Sequence, residues 1–502
     1  RSVSADAEGL PPPSKPDSEP ASPVQDAGSA PRPANEPDAN RLTVAVLPFE
    51  NLSQTEDAEP FTAGLHDDLL TELSRISALT VISRTSVLAF KNSNATIRQV
   101  AERLQAGTVV EGSVQKAGDR VRLNIQVIDA AADVHLWAER FDRELTAGNI
   151  FELQSELTTR IAEALHARLT PAEAARQVEQ PTDDLEAYHL YALGRGALTM
   201  VSEGAMRRAA QYFEQAVARD PDYAPAWAGL GLVRTGLVEY GHVEAGKGLL
   251  LAEQASRRAL MLDPDLAEAH AAMGNLHCTN ARREGPQAVR CLQRAIELQP
   301  SYAGAHGWLG WASLLIGDAE AARSACRHAV KLNPLEPEAR GNLAIANLGC
   351  GDRDGALLEA RRAMNSQVES DWARWVAAQA MLVLGDKDQA LALLSELTER
   401  WARSWFPAQR AVVAGEAGDR ASTAAFAASC DAAGDAFRAG LVHLSLGDLE
   451  AGFDALKRSV PMNWSETLYF RYVLPQLSPA MPDDPRYLNL LREVDRSWGV
   501  GA

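Results

Sequence analysis

Apolar and polar residues fall into a pattern from Leu42 onward. The run LTVAVLPFENL (42–52) opens as a β-rich stretch and stops at Pro48. In FTAGLHDDLLTELSRI (61–76), Leu65, Leu69, Leu70, Leu73 and Ile76 share one helical face. LTVISR (79–84) reads as a strand and IRQVAERL (97–104) as a helix. Residues 108–141, TVVEGSVQKAGDRVRLNIQVIDAAADVHLWAERF, alternate apolar with polar, and Ala117-Gly118-Asp119 suits a hairpin turn. IFELQSELTTRIAEALHARL (150–169) is an amphipathic helix followed by Pro171. The order β-α-β-α-β-β(β)-α predicts a compact α/β domain over 41–171. Residues 1–40 hold nine of the chain's 26 prolines among Ala, Ser, Asp and Glu and have no apolar period, so they read as a disordered Pro/Ala-rich linker. Residues 172–184 read as a short polar hinge.

Beyond the hinge, alanine-rich helices take over at a fixed period. Gly-Asp pairs at 317–318, 351–352 and 385–386 are separated by steps of 34, with looser echoes at 418–419 and 447–448. Pro221, Pro264, Pro300 and Pro334 step by 43, 36 and 34. With each proline as repeat position 32, position 20 is Ala209, Ala252, Ala288 and Ala322, and the same step continued past Pro334, where Val368 replaces the next proline, gives Ala356 and Ala390. Position 27 is Ala216, Ala259, Ala295, Ala329 and Ala363, and position 8 is Gly231, Gly274, Gly310 and Ala344. Small residues at these points let two antiparallel helices approach, Gly-Asp supplies the turn between them, and proline ends the second helix. This register, with Trp227 and Phe213 at the bulky positions, matches the tetratricopeptide repeat (TPR) family. One such hairpin cannot bury its own apolar face, so hairpins stack into a superhelix. The expected fold is an α/β N-terminal domain followed by an all-α TPR solenoid, a right-handed superhelix of helical hairpins. Regular repeats span 185–400, with an insertion near 236–246. Degenerate hairpins and a capping helix, PDDPRYLNLLREVDRSWG, fill 401–502.

Several front segments carry a second resemblance. VAVLPFENLS, FTAGLHDDLLTELSRI, VISRTSVLAFK, the long alternating run and IFELQSELTTRIAEAL together resemble the TolB amino-terminal-like domain that precedes TPR arrays in many bacterial signalling proteins. The resemblance carries no catalytic residues. It implies an upstream effector module in the full-length chain: a nucleotide cyclase, a Ser/Thr kinase or a winged-helix DNA-binding domain, often with a transmembrane helix between. The chain begins with Arg1 and a Pro-rich stretch, which fits a chain cut after such a module. If that layout holds, the repeats face the periplasm; cytoplasmic versions are the alternative.

Composition narrows the partners. A net charge of -18 argues against direct nucleic-acid binding and against a polybasic membrane surface. No apolar run reaches the roughly 18 residues of a membrane span, so a membrane role would need a segment absent here. The five cysteines, Cys278, Cys291, Cys326, Cys350 and Cys430, form no CxxC pair and read as small apolar residues inside helices.

Candidate chemistry is sparse, and no catalytic, cofactor-binding or metal-ligating residue is assigned. Gly241 to Gly248 resembles a phosphate loop but lacks the Ser or Thr after Lys247, so it reads as a turn. Asp67-Asp68 reads as part of a solvated helix face. His277-Cys278 and Cys326-Arg327-His328 lack further ligands at metal spacing. His135-Leu136-Trp137 sits on a strand, with Trp137 a core or interface anchor. The TPR register directs Asn275, Thr279, Trp311, Trp375 and Gln379 toward the concave groove, where exposed aromatics anchor peptides; packing between repeats is the competing role for Trp311 and Trp375.

The expected function is a non-catalytic protein- or peptide-binding scaffold, or the sensory region of a bacterial signalling or transcription-regulatory protein. It would act through the TPR groove, with the front domain dimerising or relaying binding to an effector. The alternatives are a nucleotide-dependent activity in the α/β domain and a soluble assembly factor.

Overall fold

A computed structural model describes residues 42–501 except 54–57, 145, 177–180, 199–201, 366–369, 399–404 and 478–480. The Pro-rich stretch 1–40 lies outside the described residues. The β-branched run Thr43–Val46 (β1) is fully buried. It pairs in parallel with Thr80–Val81 (β3) on one side and Thr108–Ala117 (β4) on the other. Glu50–Asn51 (β2) adds a second short parallel pair to β4. Arg120–Asp129 (β5) and Val134–Glu144 (β6) continue antiparallel, giving the order β3-β1-β4-β5-β6. Gly118, with φ +61°, makes the tight turn between β4 and β5.

Ala58–Ser74 (α1) and Ala147–Ala164 (α4) lay their leucine faces on the sheet. Short helices Arg84–Leu88 (α2) and Ile97–Leu104 (α3) complete the layer, and a capping box at Thr96 and Gln99 fixes the start of α3. Within the stretch read as a hinge, Pro171–Arg176 (α5) is helical. Glu173 accepts from the Ser77 backbone N–H at 2.9 Å, which ties α5 to the end of α1.

From Leu185 to Arg458 the described residues form helical hairpins. They are Leu185–Ala197 with Glu203–Arg219 (α6, α7), Ala224–Glu239 with Ala245–Leu262 (α8, α9), and Ala267–His277 with Gly285–Leu298 (α10, α11). Next come Ala303–Ile316 with Ala319–Leu332 (α12, α13), Pro337–Gly349 with Arg353–Met364 (α14, α15), and Asp371–Val383 with Lys387–Ser395 (α16, α17). Two more follow, Trp405–Glu416 with Arg420–Ala433 and Ala436–Ser445 with Leu449–Arg458. The extra residues of the second repeat lengthen α8 and α9 to 16 and 18 residues.

Each Gly-Asp pair divides two tasks. Gly317, Gly351, Gly385, Gly418 and Gly447 take φ between +78° and +96° to end the first helix. Asp318, Asp352, Asp386, Asp419 and Asp448 cap the second by accepting a backbone N–H. The predicted contact alanines at position 20 are all sealed from solvent. A Cβ on Gly310 would lie 2.3 Å from Cys326 Sγ. Gly310→Ala is therefore expected to destabilise the chain by about 1–3 kcal/mol in urea melts. An unchanged midpoint would show that the helices separate at no cost.

The α/β domain is built onto the solenoid. Its α1 packs on α6, and the short β3 edge meets the turns between repeats. The Ser83 N–H donates to Leu332 O at 2.7 Å. Ser301 Oγ accepts from the Val81 N–H and donates to Leu79 O, both at 3.1 Å. Residues 37–502 thus form one compact unit.

Candidate functional site

The concave face should be lined by the first helix of each hairpin. In the middle of the array it is filled by the chain's own C-terminal segment. Asn463 caps Trp464–Leu468 with a capping box, a π-turn spans Tyr469–Val473, and Leu474–Leu477 continues as α-helix. This segment runs along α12, α14 and α16. Its aromatic residues meet those of the groove. Trp464 lies 5.4 Å from Trp311 and 5.6 Å from Trp372, between ring centroids. Trp372 stacks on Trp375 at 5.2 Å, Trp375 abuts Trp405 at 5.3 Å, and Tyr469 closes on Trp405 at 5.0 Å.

Polar contacts fix the register of this seat. Tyr472 Oη donates to Leu314 O at 2.8 Å, a carbonyl already inside α12. Arg283 Nη1 donates to Met462 O at 2.7 Å, and Asn280 Oδ1 accepts from the Trp464 N–H at 3.1 Å. The closing helix Pro485–Ser497 follows, and the Gly285 N–H donates to Trp498 O at 3.1 Å.

This packing decides the state of the residues assigned to an open groove. Trp375 and Gln379 are 0% exposed and Thr279 is 1% exposed. Thr279 turns its hydroxyl back on Leu276 O at 2.9 Å. Asn275 and Trp311 are half-buried, and Trp311 spends its ring on Trp372 and Trp464. As open ligand anchors, Trp375, Gln379 and Thr279 are therefore corrected: they belong to the packed interior. Register places Trp375 and Gln379 on α16, while Thr279 falls just past the end of α10; the segment that packs on α16 lies outside the repeat pattern.

A second correction concerns Asp67-Asp68. Their face of α1 is turned to the repeats, and Asp67 is 5% exposed. Arg195 of α6 reaches Asp67 at 2.9 Å and Asp68 at 3.3 Å, and Arg84 reaches Asp67 at 3.3 Å. Tyr188 donates its hydroxyl to Asp68, and Gln154 Nε2 donates to the same carboxylate at 2.9 Å. No cue around 67–68 reveals this, because the cation shared by both carboxylates, Arg195, stands more than a hundred residues away.

Burial pushes the Asp68 carboxyl up to about 6, against the pull of Arg195. A folded-state pKa above the unfolded one means that the folded chain holds the proton more tightly. That contribution is complete below about pH 4 and is lost as pH rises through about 6. Asp68→Asn, fixed in the neutral form, is expected to gain stability relative to the native chain between those two values. Paired urea melts across that range read the difference; one that does not vary with pH overturns this assignment.

Beside this cluster lies a cleft of about 480 Å³. Thr71, Arg75 and Gln154 form its α/β wall, and Tyr191, Arg195 and Glu268 its repeat wall. One Glu268 carboxylate oxygen is buried with no hydrogen-bond partner among the described residues. Fixed guanidinium and carboxylate groups alternate around tyrosine rings, which suits polar recognition. The Gly241–Gly248 stretch is filled by its own chain: Glu244 caps α9, accepting from the Gly246 and Lys247 N–H groups at 2.8 and 3.1 Å. A phosphate there would displace a carboxylate.

Comparisons with known proteins agree with this division. Residues 40–160 match the model of the HilA/YgeH-like transcriptional regulator, second domain. Residues 303–334, which cover α12 and α13, match the tetratricopeptide repeat model. A Rhizobium meliloti (strain 1021) protein provisionally named adenylate cyclase 3 is 38% identical over 191 residues. That stretch is 38% of this chain and 32% of the relative, so the match spans about a third of the relative's length. Among solved structures, Pseudomonas aeruginosa PilF is 20% identical, with 42% of this chain and 90% of that one covered at a TM-score of 0.34. YrrB, described as a TPR protein with an unusual peptide-binding site, is 19% identical, with 37% and 90% covered at a TM-score of 0.28.

Proposed function

We propose that this chain is a non-catalytic, protein-binding regulatory region of a bacterial signalling or transcription-regulatory protein. Tetratricopeptide repeats are protein-interaction modules, and the front domain matches a regulator's domain. The observation that carries the reading is the cleft between the α/β domain and the first repeats. The C-terminal segment covers α12, α14 and α16, while α6 and the first turns of α8 and α10 border this cleft. A protein or peptide ligand is therefore assigned to the first repeats. There it would touch both domains at once, and its binding could be relayed to an effector. An upstream cyclase, kinase or winged-helix module and the TolB amino-terminal kinship remain part of this proposal. The cyclase name belongs to the relative, two thirds of whose length lies outside the match.

The test is a photo-crosslinking amino acid placed at Ser155 in the cleft or at Leu358, which is exposed on α15. Adducts with one partner from position 155 and none from 358 support the reading. Adducts from 358 alone, or from neither, overturn it. Turnover of a nucleotide by the purified chain would favour the enzymatic alternative instead.

A further inference from the structure

The sheet of the front domain has two edges, and the fold treats them differently. The β3 edge is two residues long and is capped by the repeats, through Ser301 and Leu332. The β6 edge is eleven residues long and pairs only with β5 among the described residues. Val134 at its start is 54% exposed, and residues 138–140 are exposed as well. A long bare edge offers a row of backbone donors and acceptors to another strand.

The side chains along this edge indicate which strand. From 138 to 144 they read Ala-Glu-Arg-Phe-Asp-Arg-Glu. When two copies of the run lie antiparallel about a twofold axis at Phe141, each Arg140 faces the other copy's Asp142. Each Glu139 likewise faces the other copy's Arg143. All four charged pairs are then of opposite sign, and Phe141 meets its own copy at the centre. Moving the register by two residues sets Arg140 against Arg140 or Asp142 against Asp142 at the axis. Registers offset by one residue set the core face of one strand against the solvent face of the other. Among the face-aligned registers centred between 139 and 143, only the one at Phe141 is free of a like-charge pair at its axis. Asp142 meets Arg122 at 3.0 Å and, more loosely, Arg140 of its own strand at 3.9 Å, and at 37% exposed it stays open to the other copy's Arg140. Opposite charges across paired strands stabilise, and like charges oppose pairing.

We propose that two copies of this chain associate through β6, antiparallel about Phe141, to form one continuous sheet. The partner is a second copy because the charge order is complementary to itself. The same charges could instead serve to keep edges apart, and the experiment separates the two roles.

The full chain is examined by sedimentation equilibrium at low and high salt, alone and as Arg140→Glu, Asp142→Arg and the double swap. The native chain is expected to dimerise, with the dissociation constant rising with salt. Each single reversal should weaken the dimer at least tenfold, because it sets like charges opposite each other twice. The double swap should restore the dimer. A chain that stays monomeric at high micromolar concentration overturns the proposal, as does a dimer indifferent to both reversals. A swap that fails to restore association overturns the assigned register. Circular dichroism of each variant confirms folding, and Arg140, 65% exposed, is not needed for it.

Discussion

Trp375→Ala is expected to lower the free energy of unfolding by about 3–5 kcal/mol. The ring is sealed between Trp372 and Trp405, so truncation opens a cavity that the packed helices cannot close. Urea denaturation followed by circular dichroism measures the loss. The result separates two roles that the repeat register leaves open. An exposed groove anchor can be truncated with little effect on stability and a large effect on binding. A loss below about 1 kcal/mol would therefore place Trp375 at an accessible surface and contradict the filled groove. The same logic predicts that Trp464→Ala, on the other side of the contact, disturbs the same unit.

Arg195→Ala is the second large effect. It removes the one guanidinium that Asp67 and Asp68 share at the junction between the two domains, leaving Asp67 with Arg84. Breaking a buried ion pair from one side typically costs 3–5 kcal/mol, and about 3 is expected here because the guanidinium keeps some contact with solvent. Asp68→Asn in the same chain should recover part of that loss, since Asp67 keeps Arg84 while the charge on Asp68 is left without a cation. A double-mutant cycle with a coupling near zero would mean that the junction is held by apolar contacts alone. Hydrogen exchange adds a spatial reading. Loss of Arg195 should raise exchange at the β3 edge, where the repeats cap the sheet, before it raises exchange in the distal hairpins.

What the sequence makes legible follows from range. Gly-Asp turns, contact alanines and the β4–β5 hairpin are written in neighbouring residues, and each forms where its local chemistry requires it. Gly310 is a good case: its lack of a side chain is visible in the repeat register, and Cys326 is the physical reason. The candidate site is different. Asn275, Trp311, Trp375 and Gln379 fall on first helices, as the register demands, while Thr279 lies just past the end of α10. The covering of Trp311 and Trp375 draws on Trp464, Trp405 and Tyr469, which carry no repeat signature. Asp67 and Asp68 look like surface carboxylates because the guanidinium they share, Arg195, is supplied by another domain, and Arg84, which also meets Asp67, lies in a different element. The bare edge of β6 is equally silent, since strand order is a property of the folded sheet.

The seating of the last segment also bears on how the chain is made. Trp311 leaves the ribosome about 150 residues before Trp464. At 5–20 residues per second, the middle hairpins present an uncovered aromatic trough for roughly 8–30 seconds. Ordinary repeat arrays can consolidate one hairpin at a time as they emerge. This one cannot finish its centre until its end has been synthesised. A nascent chain stalled near residue 460 would be a sticky, half-closed intermediate, and it should recruit chaperones that the released protein no longer binds.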